Sequence, residues 1–148
     1  MSTYTQIIYQ IVFTTKGKNG TLHKNQRENL FRYISRVLEN KKCHLYRIGG
    51  IEDHIHIITH LHPTISLADL VKDIKMSSSL YIKTQKLFPF FDGWQEGYGA
   101  FTYSIEAKDN LIEYVKNQEE HHKKKSFRDE YLELLKAHNV TFDERYLL

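Results

Sequence analysis

Two short stretches of the chain carry side chains that could do chemistry together. The first is the run DHIHII at positions 53–58, which places His54 and His56 two residues apart, and the second holds Tyr114 and Gln118. Alternate side chains of a β-strand point to the same face, so both imidazoles could bind one ion. Residues four apart in a helix also share a face, which would bring the phenol and the amide together. The spacing therefore predicts one site built from two pairs.

A buried histidine often has only a structural role, so a metal-binding role for the pair has to be argued. Each buried imidazole requires hydrogen-bond partners of its own, and two on one strand face favour a shared metal over two unrelated core residues. Imidazole and amide ligands, completed by water and phosphate, suit Mg²⁺ or Mn²⁺ in an open site. A structural zinc would instead take four closed ligands.

A phenol beside such a cation could attack phosphorus. A bound cation polarises a phosphoryl oxygen and stabilises charge on the leaving oxygen. Free tyrosine has a pKa of about 10, so Tyr114 would need the cation, or a base such as Lys116, to react at neutral pH. The residues themselves leave both routes of activation open.

Length and composition predict one compact domain over residues 1–148. The chain is 41% apolar, which is enough for a real core. It has no apolar run near the roughly 20 residues of a membrane span, and its start lacks the pattern of a signal segment. We therefore expect a soluble, cytoplasmic protein without a membrane partner. The single cysteine, Cys43, excludes an internal disulfide and a cysteine-based zinc site.

The basic residues are concentrated near the N-terminus. The net charge is only +3, but residues 1–50 hold nine Lys or Arg against two acidic residues. The rest of the chain holds twelve basic and sixteen acidic side chains. A basic region on a mildly acidic domain would suit a polyanion, although an ordinary solvated helix face explains any single residue as well.

Hydrophobic periodicity and turn residues give the order of elements. Alternating or β-branched runs predict strands over residues 4–14, 43–48, 53–61 and 98–104. Three-and-four spacing predicts helices over 25–40, with Arg27, Arg32 and Arg36 on a basic outer face, over 66–83, from about 108 to beyond 118, and over 126–138. An aromatic loop over 87–97 and a tail over 140–148 remain. The order β-α-β-β-α-β followed by helices predicts an α+β, ferredoxin-like antiparallel sheet with the histidine pair on a central strand.

Three blocks of sequence resemble those of a known family. They are DHIH at 53–56, WQEGYGAF at 94–101 and YVKNQEEHH at 114–122. In this order they resemble the small single-tyrosine HUH transposases (His, hydrophobic, His), which move single-stranded insertion sequences with terminal hairpins. The likeness runs nearly end to end and is weaker after residue 126. It implies that His54, His56 and Gln118 bind the metal and that Tyr114 is the nucleophile.

The resemblance also implies a reaction and an assembly. Attack of Tyr114 on a DNA phosphodiester would give a 5′-phosphotyrosine and a free 3′-hydroxyl, and another 3′-hydroxyl could reverse the step without ATP. The implied partners are single-stranded DNA with hairpins and a second copy of the chain. In that homodimer the tyrosine helix of one subunit would complete the histidine pair of the other.

Other functions remain as alternatives. A histidine-triad hydrolase would need a third histidine where Ile58 stands. Rolling-circle initiators and relaxases share the histidine pair and a tyrosine, but they usually order the motifs differently or add domains. A domesticated ferredoxin-like protein that binds DNA hairpins without cutting them is the non-enzymatic alternative. Replacing Tyr114 by Phe would leave such a binder unaffected.

Several other residues are secondary candidates. His60 and His62 extend the histidine run but fall at a strand end and a turn. His121 and His122 follow Gln118 closely enough to reach the site. Basic and aromatic side chains could contact phosphates or stack on bases, although a solvated helix end and core or dimer packing explain them as well: Lys123, Lys124, Lys125, Phe90, Phe91, Trp94 and Tyr98.

Overall fold

A four-stranded sheet forms the centre of the computed structural model, which describes residues 2–147. Its strands are β1 Ile8–Thr14, β2 His44–Gly50, β3 His54–His60 and β4 Gly99–Tyr103. The order in the sheet is β2-β3-β1-β4, and every neighbouring pair is antiparallel. This confirms the α+β, ferredoxin-like arrangement. Strand β3, with its two histidines, has a neighbour on each side.

Five helices cover the sheet. They are α1 Lys24–Asn40, α2 Leu67–Gln85, α3 Lys108–Lys116, α4 Gln118–His122 and α5 Phe127–Ala137. Most predicted bounds hold within two residues, but the first strand begins at Ile8 rather than residue 4. A 3₁₀ turn over Glu144–Tyr146 lies in the predicted tail, whose last residue, 148, is outside the described part of the chain.

One face of the sheet packs on α1 and α2 and carries most of the apolar core. Alternate residues of the two central strands point to this face because side chains in a strand alternate. Full burial of each Ile, Leu or Phe stabilises the fold by about 1.5–3 kcal/mol. The buried residues include Ile11, Phe13, Ile55 and Ile57 from the strands and Leu30, Ile34, Leu38, Leu70 and Ile74 from the helices.

The prediction of a basic outer face on α1 is wrong at one position. Arg27 is only 5% exposed, and its Nη1 donates to the carbonyl oxygen of Gly50 at 3.0 Å. Its Nη2 lies 3.8 Å from a carboxylate oxygen of Glu52 and 3.7 Å from one of Glu119. The buried guanidinium therefore links α1 to β2, to the loop that follows β2 and to α4. Arg32 and Arg36 are exposed as predicted.

The opposite face of the sheet is covered by α3 and α5. Leu111 and Val115 of α3 pack with Ile8 and Ile58, and an aromatic cluster of α5 packs on β1 and β4. Between these two apolar patches the sheet presents His54 and His56. The polar side chains on this face are therefore buried under helices rather than open to solvent.

The prediction of one uninterrupted helix from about residue 108 past Gln118 is wrong in one respect. Asn117, with φ −97° and ψ 23°, separates α3 from α4. An asparagine side chain competes for backbone hydrogen bonds and favours such a break. The backbone of α3 also runs very close to β2. A Cβ added to Gly49 would lie only 2.5 Å from the Val115 carbonyl oxygen.

The aromatic loop contributes to the core. The Trp94 ring meets Phe13 edge to face with centroids 4.9 Å apart, and its indole N–H donates to Ser78 Oγ at 2.9 Å. Phe91 is buried, whereas Phe90 is 75% exposed. Core packing is thus the observed role of Trp94 and Phe91. Within residues 2–147, no helix has the length and apolar character needed to span a bilayer.

Candidate active site

Strand β3 directs both histidines of the predicted pair into the buried face, with ring centroids 5.2 Å apart. His54 Nδ1 lies 2.7 Å from Asp53 Oδ1, and its Nε2 lies 2.9 Å from Gln118 Oε1. His56 Nδ1 lies 3.0 Å from the side-chain amide nitrogen of Gln10. Each ring is held at Nδ1 by a neighbour and points Nε2 inward. For His54, whose Nδ1 donates to a carboxylate, this arrangement is typical of histidines that bind a metal through Nε2. His56 Nδ1 instead accepts from the Gln10 amide, so the proton of the neutral ring is on Nε2.

The support for His56 extends across the sheet. Tyr103 on β4 donates its hydroxyl proton to Gln10 Oε1 at 2.7 Å, so a chain of side chains runs from β4 through β1 to β3. Burial raises the pKa of Tyr103 to about 12, which keeps this hydroxyl neutral and able to donate. Burial also lowers the pKa of His56, although the carboxylate of Glu130 opposes the shift. His56 is therefore neutral, with its proton on Nε2, from which it donates to Glu130 Oε1 at 2.9 Å.

The helical pair reaches the same centre from above the sheet. Tyr114 donates its hydroxyl to the carboxylate of Glu130, and the hydroxyl lies 3.2 Å from His121 Nε2. The amide nitrogen of Gln118 donates to Glu130 Oε2 at 3.0 Å. Tyr114 and Gln118 meet at one point in spite of the break between α3 and α4. Lys116, suggested as the activating base, is exposed and is not among the described hydrogen-bond partners of the phenol.

All four predicted site residues thus converge within one chain, together with a residue that the sequence reasoning missed. Glu130, on α5, is 1% exposed, and its Oε1 lies 2.9 Å from His56 Nε2 and 3.5 Å from His54 Nε2. The sequence does contain a signal for the burial of Glu130. The spacing of Phe127, Glu130 and Leu134 puts the glutamate in the apolar stripe of its helix, where an unpaired charge would be costly.

The charge of this carboxylate sets the protonation of its neighbours. Burial would raise the pKa of Glu130, but hydrogen bonds from His122, His56 and Tyr114 and the charge interaction with His56 outweigh it, and the net pKa is far below its ordinary value. Burial, with the hydrogen bond and negative charge of Glu130, raises the pKa of Tyr114 strongly. The centre therefore holds an ionised carboxylate and a neutral phenol.

Both secondary histidine candidates next to Gln118 reach the centre. The Nε2 atoms of His121 and His122 each lie 3.3 Å from Glu130 Oε2. His122 Nε2 is also 3.0 Å from Gln118 Oε1, and its ring centroid is 4.6 Å from that of His54. Burial would lower the pKa of His122, but its hydrogen bond to Glu130 outweighs this and raises it. His60 and His62 instead bond to the N-terminal segment and to Thr64, away from the site.

The donor set could hold a divalent cation. Ligand atoms of His54, His122 and Glu130 lie within 4.8 Å of one another, and Gln118 Oε1 is beside both imidazoles. Imidazole nitrogen with carboxylate and amide oxygen suits a cation of intermediate to hard character. The residues present therefore fit a metal that binds phosphate.

Tyr114 lies between two cavities. One, of about 380 Å³, is lined by Gln10, Tyr103, Tyr114 and Glu130 among others. The second, of about 560 Å³, is lined by Tyr114, His121, Lys124 and Lys125 among others. A phosphate could approach the phenol from either side. The lining of the second cavity also includes Glu113 and Glu120, so its two lysines are balanced by two acidic side chains. Two larger depressions lie elsewhere, one between α2 and the aromatic loop and one along α1, β2 and the α3–α4 segment.

Comparison with known proteins relates the chain to transposases. A family model described as IS200-like transposase matches residues 3–118. A solved structure of a candidate transposase from Deinococcus radiodurans is 19% identical, with a TM-score of 0.62 over 80% of this chain and 95% of that one. A REP-associated tyrosine transposase solved with a REP hairpin is 15% identical, with a TM-score of 0.59 over 82% of this chain and 74% of that one. At these identities the two structures support the fold. No match was found among curated proteins.

Proposed function

Because the chain belongs to the family of IS200-like transposases, we propose that it cuts and rejoins single-stranded DNA at insertion-sequence ends through Tyr114. The observation that supports this most is the convergence of the phenol, the Gln118 amide and the β3 histidines on one buried point. All of these residues lie within the part matched by the family, except Glu130. The protein would work as a single catalytic domain.

The proposed step exchanges one phosphate ester for another. The Tyr114 oxygen forms a bond to phosphorus while the bond from phosphorus to the 3′ oxygen breaks. The phenol loses its proton and the departing 3′ oxygen gains one, so a 5′-phosphotyrosine and a 3′-hydroxyl result. Because one ester replaces another, a new 3′-hydroxyl can reverse the step without ATP.

The chain's residues would prepare a cation site for this step. His54, His56 and Gln118 would hold Mg²⁺ or Mn²⁺, and the contact of Asp53 with Nδ1 leaves the Nε2 lone pair of His54 free for the cation. His56 would bind only after its proton moves from Nε2 to Nδ1, with the Gln10 amide turned so that its oxygen faces that nitrogen. When bound, such a cation supplies positive charge that polarises a phosphoryl oxygen. Glu130 keeps Tyr114 in the neutral phenol form by hydrogen bonding and charge, so the cation would have to offset this effect.

Hairpin recognition is the second part of the proposal. The related structure in complex with a REP hairpin supports it, because that protein has the same fold. In this chain a groove of about 730 Å³ along α1, β2 and the α3–α4 segment is lined by four basic and four acidic side chains: Arg32, Arg36, Arg47, Lys116, Glu28, Glu39, Glu119 and Glu120. The groove as a whole has no excess of positive charge, so the phosphates of a hairpin would have to be bound by its individual arginines and lysine.

The direct test is a search for a covalent protein–DNA adduct. The full chain is incubated with Mn²⁺ and single-stranded DNA from the ends of its own genetic locus, and the product is resolved on a denaturing gel. We expect an adduct that disappears with a chelator and with Tyr114→Phe, while Tyr114→Phe still binds the hairpin. Tyr4→Phe is the matched control because Tyr4 is 90% exposed. An adduct formed by Tyr114→Phe would contradict the proposal.

The non-catalytic alternative is a protein that binds DNA hairpins without cutting them. The burial of the centre under α5 and the raised pKa of Tyr114 favour it, because both oppose attack on DNA. Hairpin binding that is equal in the wild type and Tyr114→Phe, with no adduct in either, would select this alternative.

A homodimer is also proposed, on the basis of the family. In such a dimer the tyrosine helix could complete the centre of its own subunit or that of the partner. The contacts of Tyr114 and Gln118 with Glu130 and His54 lie within one chain and support the first arrangement.

Mixing two inactive variants separates these placements. Tyr114→Phe keeps the histidines, and His54→Ala keeps the tyrosine. If each chain completes its own centre, the mixture forms no adduct, and this is the result we expect. An adduct on the His54→Ala chain in the mixture would show exchange of the helix between subunits.

A further inference from the structure

The buried centre contains more hydrogen-bond acceptors than donors. His54 Nδ1 faces the Asp53 carboxylate at 2.7 Å, and His122 Nδ1 faces the Lys125 carbonyl oxygen at 2.8 Å. Carboxylate and carbonyl oxygens only accept, so each ring must donate from Nδ1. In the neutral ring Nε2 then carries a lone pair, and in the protonated ring, which Glu130 favours for His122, it carries a second proton.

Both lone pairs point at oxygen atoms that also carry lone pairs. Gln118 Oε1 lies 2.9 Å from His54 Nε2 and 3.0 Å from His122 Nε2. Gln118 donates through its other amide atom to Glu130, which fixes the oxygen on the side of the histidines. The carboxylate of Glu130 completes the group at 3.5 Å from His54 Nε2 and 3.3 Å from His122 Nε2. Four acceptors thus surround one point.

The spacing of these atoms matches the coordination shell of a small divalent cation. Neighbouring ligands of an octahedral ion with bonds near 2.1 Å lie about 3 Å apart. The contacts between the imidazole nitrogens and the oxygens here range from 2.9 to 3.5 Å. Lone pairs at these distances repel one another unless a positive charge lies between them. That charge is either a second proton on an imidazole or a cation, and the spacing of the four atoms fits the cation.

We propose that His122 and Glu130 are further ligands of the divalent cation, binding together with His54 and Gln118. This inference rests on the proposed function for the presence of the cation and adds the His122 imidazole and an anionic oxygen to its site. Both residues lie beyond residue 118, where the match to the transposase family ends. The C-terminal helix α5 therefore belongs to the metal centre.

The burial of Glu130 has a physical reason under this proposal. A carboxylate that is 1% exposed is costly unless strong partners compensate for its lost hydration. Phe127 and Tyr131, in the same helix, are buried in the cluster against β1 and β4 and hold the glutamate in place. An ionised oxygen ligand also increases the preference of the site for Mg²⁺ or Mn²⁺.

The test measures Mn²⁺ binding to the full chain by isothermal titration calorimetry without DNA. Glu130→Gln and His122→Ala should each weaken Mn²⁺ binding by at least about tenfold, the lower range for residues that support a metal site. Glu133→Gln is the matched control, because Glu133 lies on the same helix but is exposed, and it should bind as the wild type does. Wild-type or tighter Mn²⁺ binding by Glu130→Gln or His122→Ala would overturn the proposal.

Two further measurements keep the result unambiguous. The double change of His54 and His56 to Ala tests the proposed function: if it abolishes Mn²⁺ binding while Glu130→Gln and His122→Ala bind normally, only the present inference fails. If none of these variants changes binding, the proposed cation site fails as well. Pulsed electron paramagnetic resonance counts imidazole nitrogens on bound Mn²⁺, and His122→Ala should remove one from the wild-type count. An unchanged count would overturn the role of His122 even if that variant is less stable.

Discussion

The carboxylate of Glu130 is the point at which the buried side chains of the site meet. It accepts hydrogen bonds from Tyr114 and Gln118 and faces the imidazole of His56. Hydrogen bonds that involve a charged group are stronger than neutral ones, and those inside a protein are not weakened by water. The protonation of this one group should therefore be visible in the stability of the whole chain.

Acid should reveal this contribution. The folded pKa of Glu130 lies below its ordinary value of 4.5, so at low pH the unfolded chain takes up a proton that the folded chain does not. The stabilisation is fully present above pH 4.5 and is lost as the pH falls below it. Between pH 5 and 3, metal-free wild type should lose more unfolding free energy than Glu130→Gln, by about 1.4 kcal/mol per pH unit at most.

Urea unfolding at several pH values measures this difference. Glu133→Gln, which changes an exposed glutamate on the same helix, should follow the wild-type curve. Parallel curves for the wild type and Glu130→Gln would show that Glu130 has an ordinary pKa in the folded chain.

At the level of elements, the position of Tyr114 depends on how closely α3 approaches β2. A Cβ on Gly49 would lie 2.5 Å from the carbonyl oxygen of Val115 and 2.9 Å from its Cγ1. The carbonyl belongs to the backbone of α3, so the helix itself would have to move. Gly49 is thus the residue that allows the tyrosine helix to lie against the sheet.

Gly49→Ala should displace Tyr114, the proposed nucleophile, without removing it. We expect the unfolding free energy to fall by about 1–3 kcal/mol, as for overpacking in a core. Adduct formation should fall about 100-fold, because a shift of about 1 Å in a reacting group can have that effect. Thermal unfolding and the initial rate of adduct formation provide the measurements.

Gly20→Ala is the control for this substitution. Its new Cβ would meet only the Cβ of the exposed Glu52, at 3.3 Å, so both quantities should stay near wild type. Wild-type adduct formation by Gly49→Ala would mean that α3 can shift without loss of function.

Local periodicity explains which elements the sequence could predict. The pairs His54 with His56 and Tyr114 with Gln118 follow from spacing within one strand and one helical segment, so they were predictable. The sheet order followed from the alternation of strands and helices. The break at Asn117 was not predictable from periodicity, because the apolar pattern continues through α3 and gives no sign of a changed backbone angle.

Contacts between distant elements were harder to predict. Glu130 joins the site only because α5 folds back over β3, and nothing local to residues 126–138 specifies that docking position. Arg27 is buried for a similar reason, since its partners Glu52 and Glu119 come from a loop and from α4. In both cases the partners that compensate the buried charge are far away in sequence, so the local pattern does not show which residues they are.

For the whole molecule, the exposed arginines of one groove give the clearest expectation about DNA. The groove along α1 and β2 is lined by exposed Arg36 and Arg47 among basic and acidic side chains, and it continues to the α3–α4 segment that carries Gln118. A hairpin held in this groove would lie next to the element that also reaches the cation site. Recognition and cleavage would then take place on adjoining surfaces.

Salt dependence tests this expectation. Arg36→Ala and Arg47→Ala should each weaken hairpin binding and reduce the slope of log K against log salt by about 0.9 for each phosphate that the variant no longer neutralises. Fluorescence anisotropy over a range of salt concentrations measures the slope. Arg128→Ala, which removes an exposed charge on α5 outside the groove, should leave the slope unchanged. If all three variants have the wild-type slope, the hairpin binds elsewhere on the protein.

The centre joins β3, α4 and α5 through the polar contacts of His54, Gln118 and Glu130. A cation bound by residues from all three would stabilise the fold, because it binds the folded chain and has no comparable site once these segments separate. Thermodynamic linkage then makes folding stability depend on the free ion, by about 2.7 kcal/mol at one hundred times the dissociation constant. In a cell short of the ion, the protein would therefore have a lower folding stability as well as a lower activity in the proposed reaction.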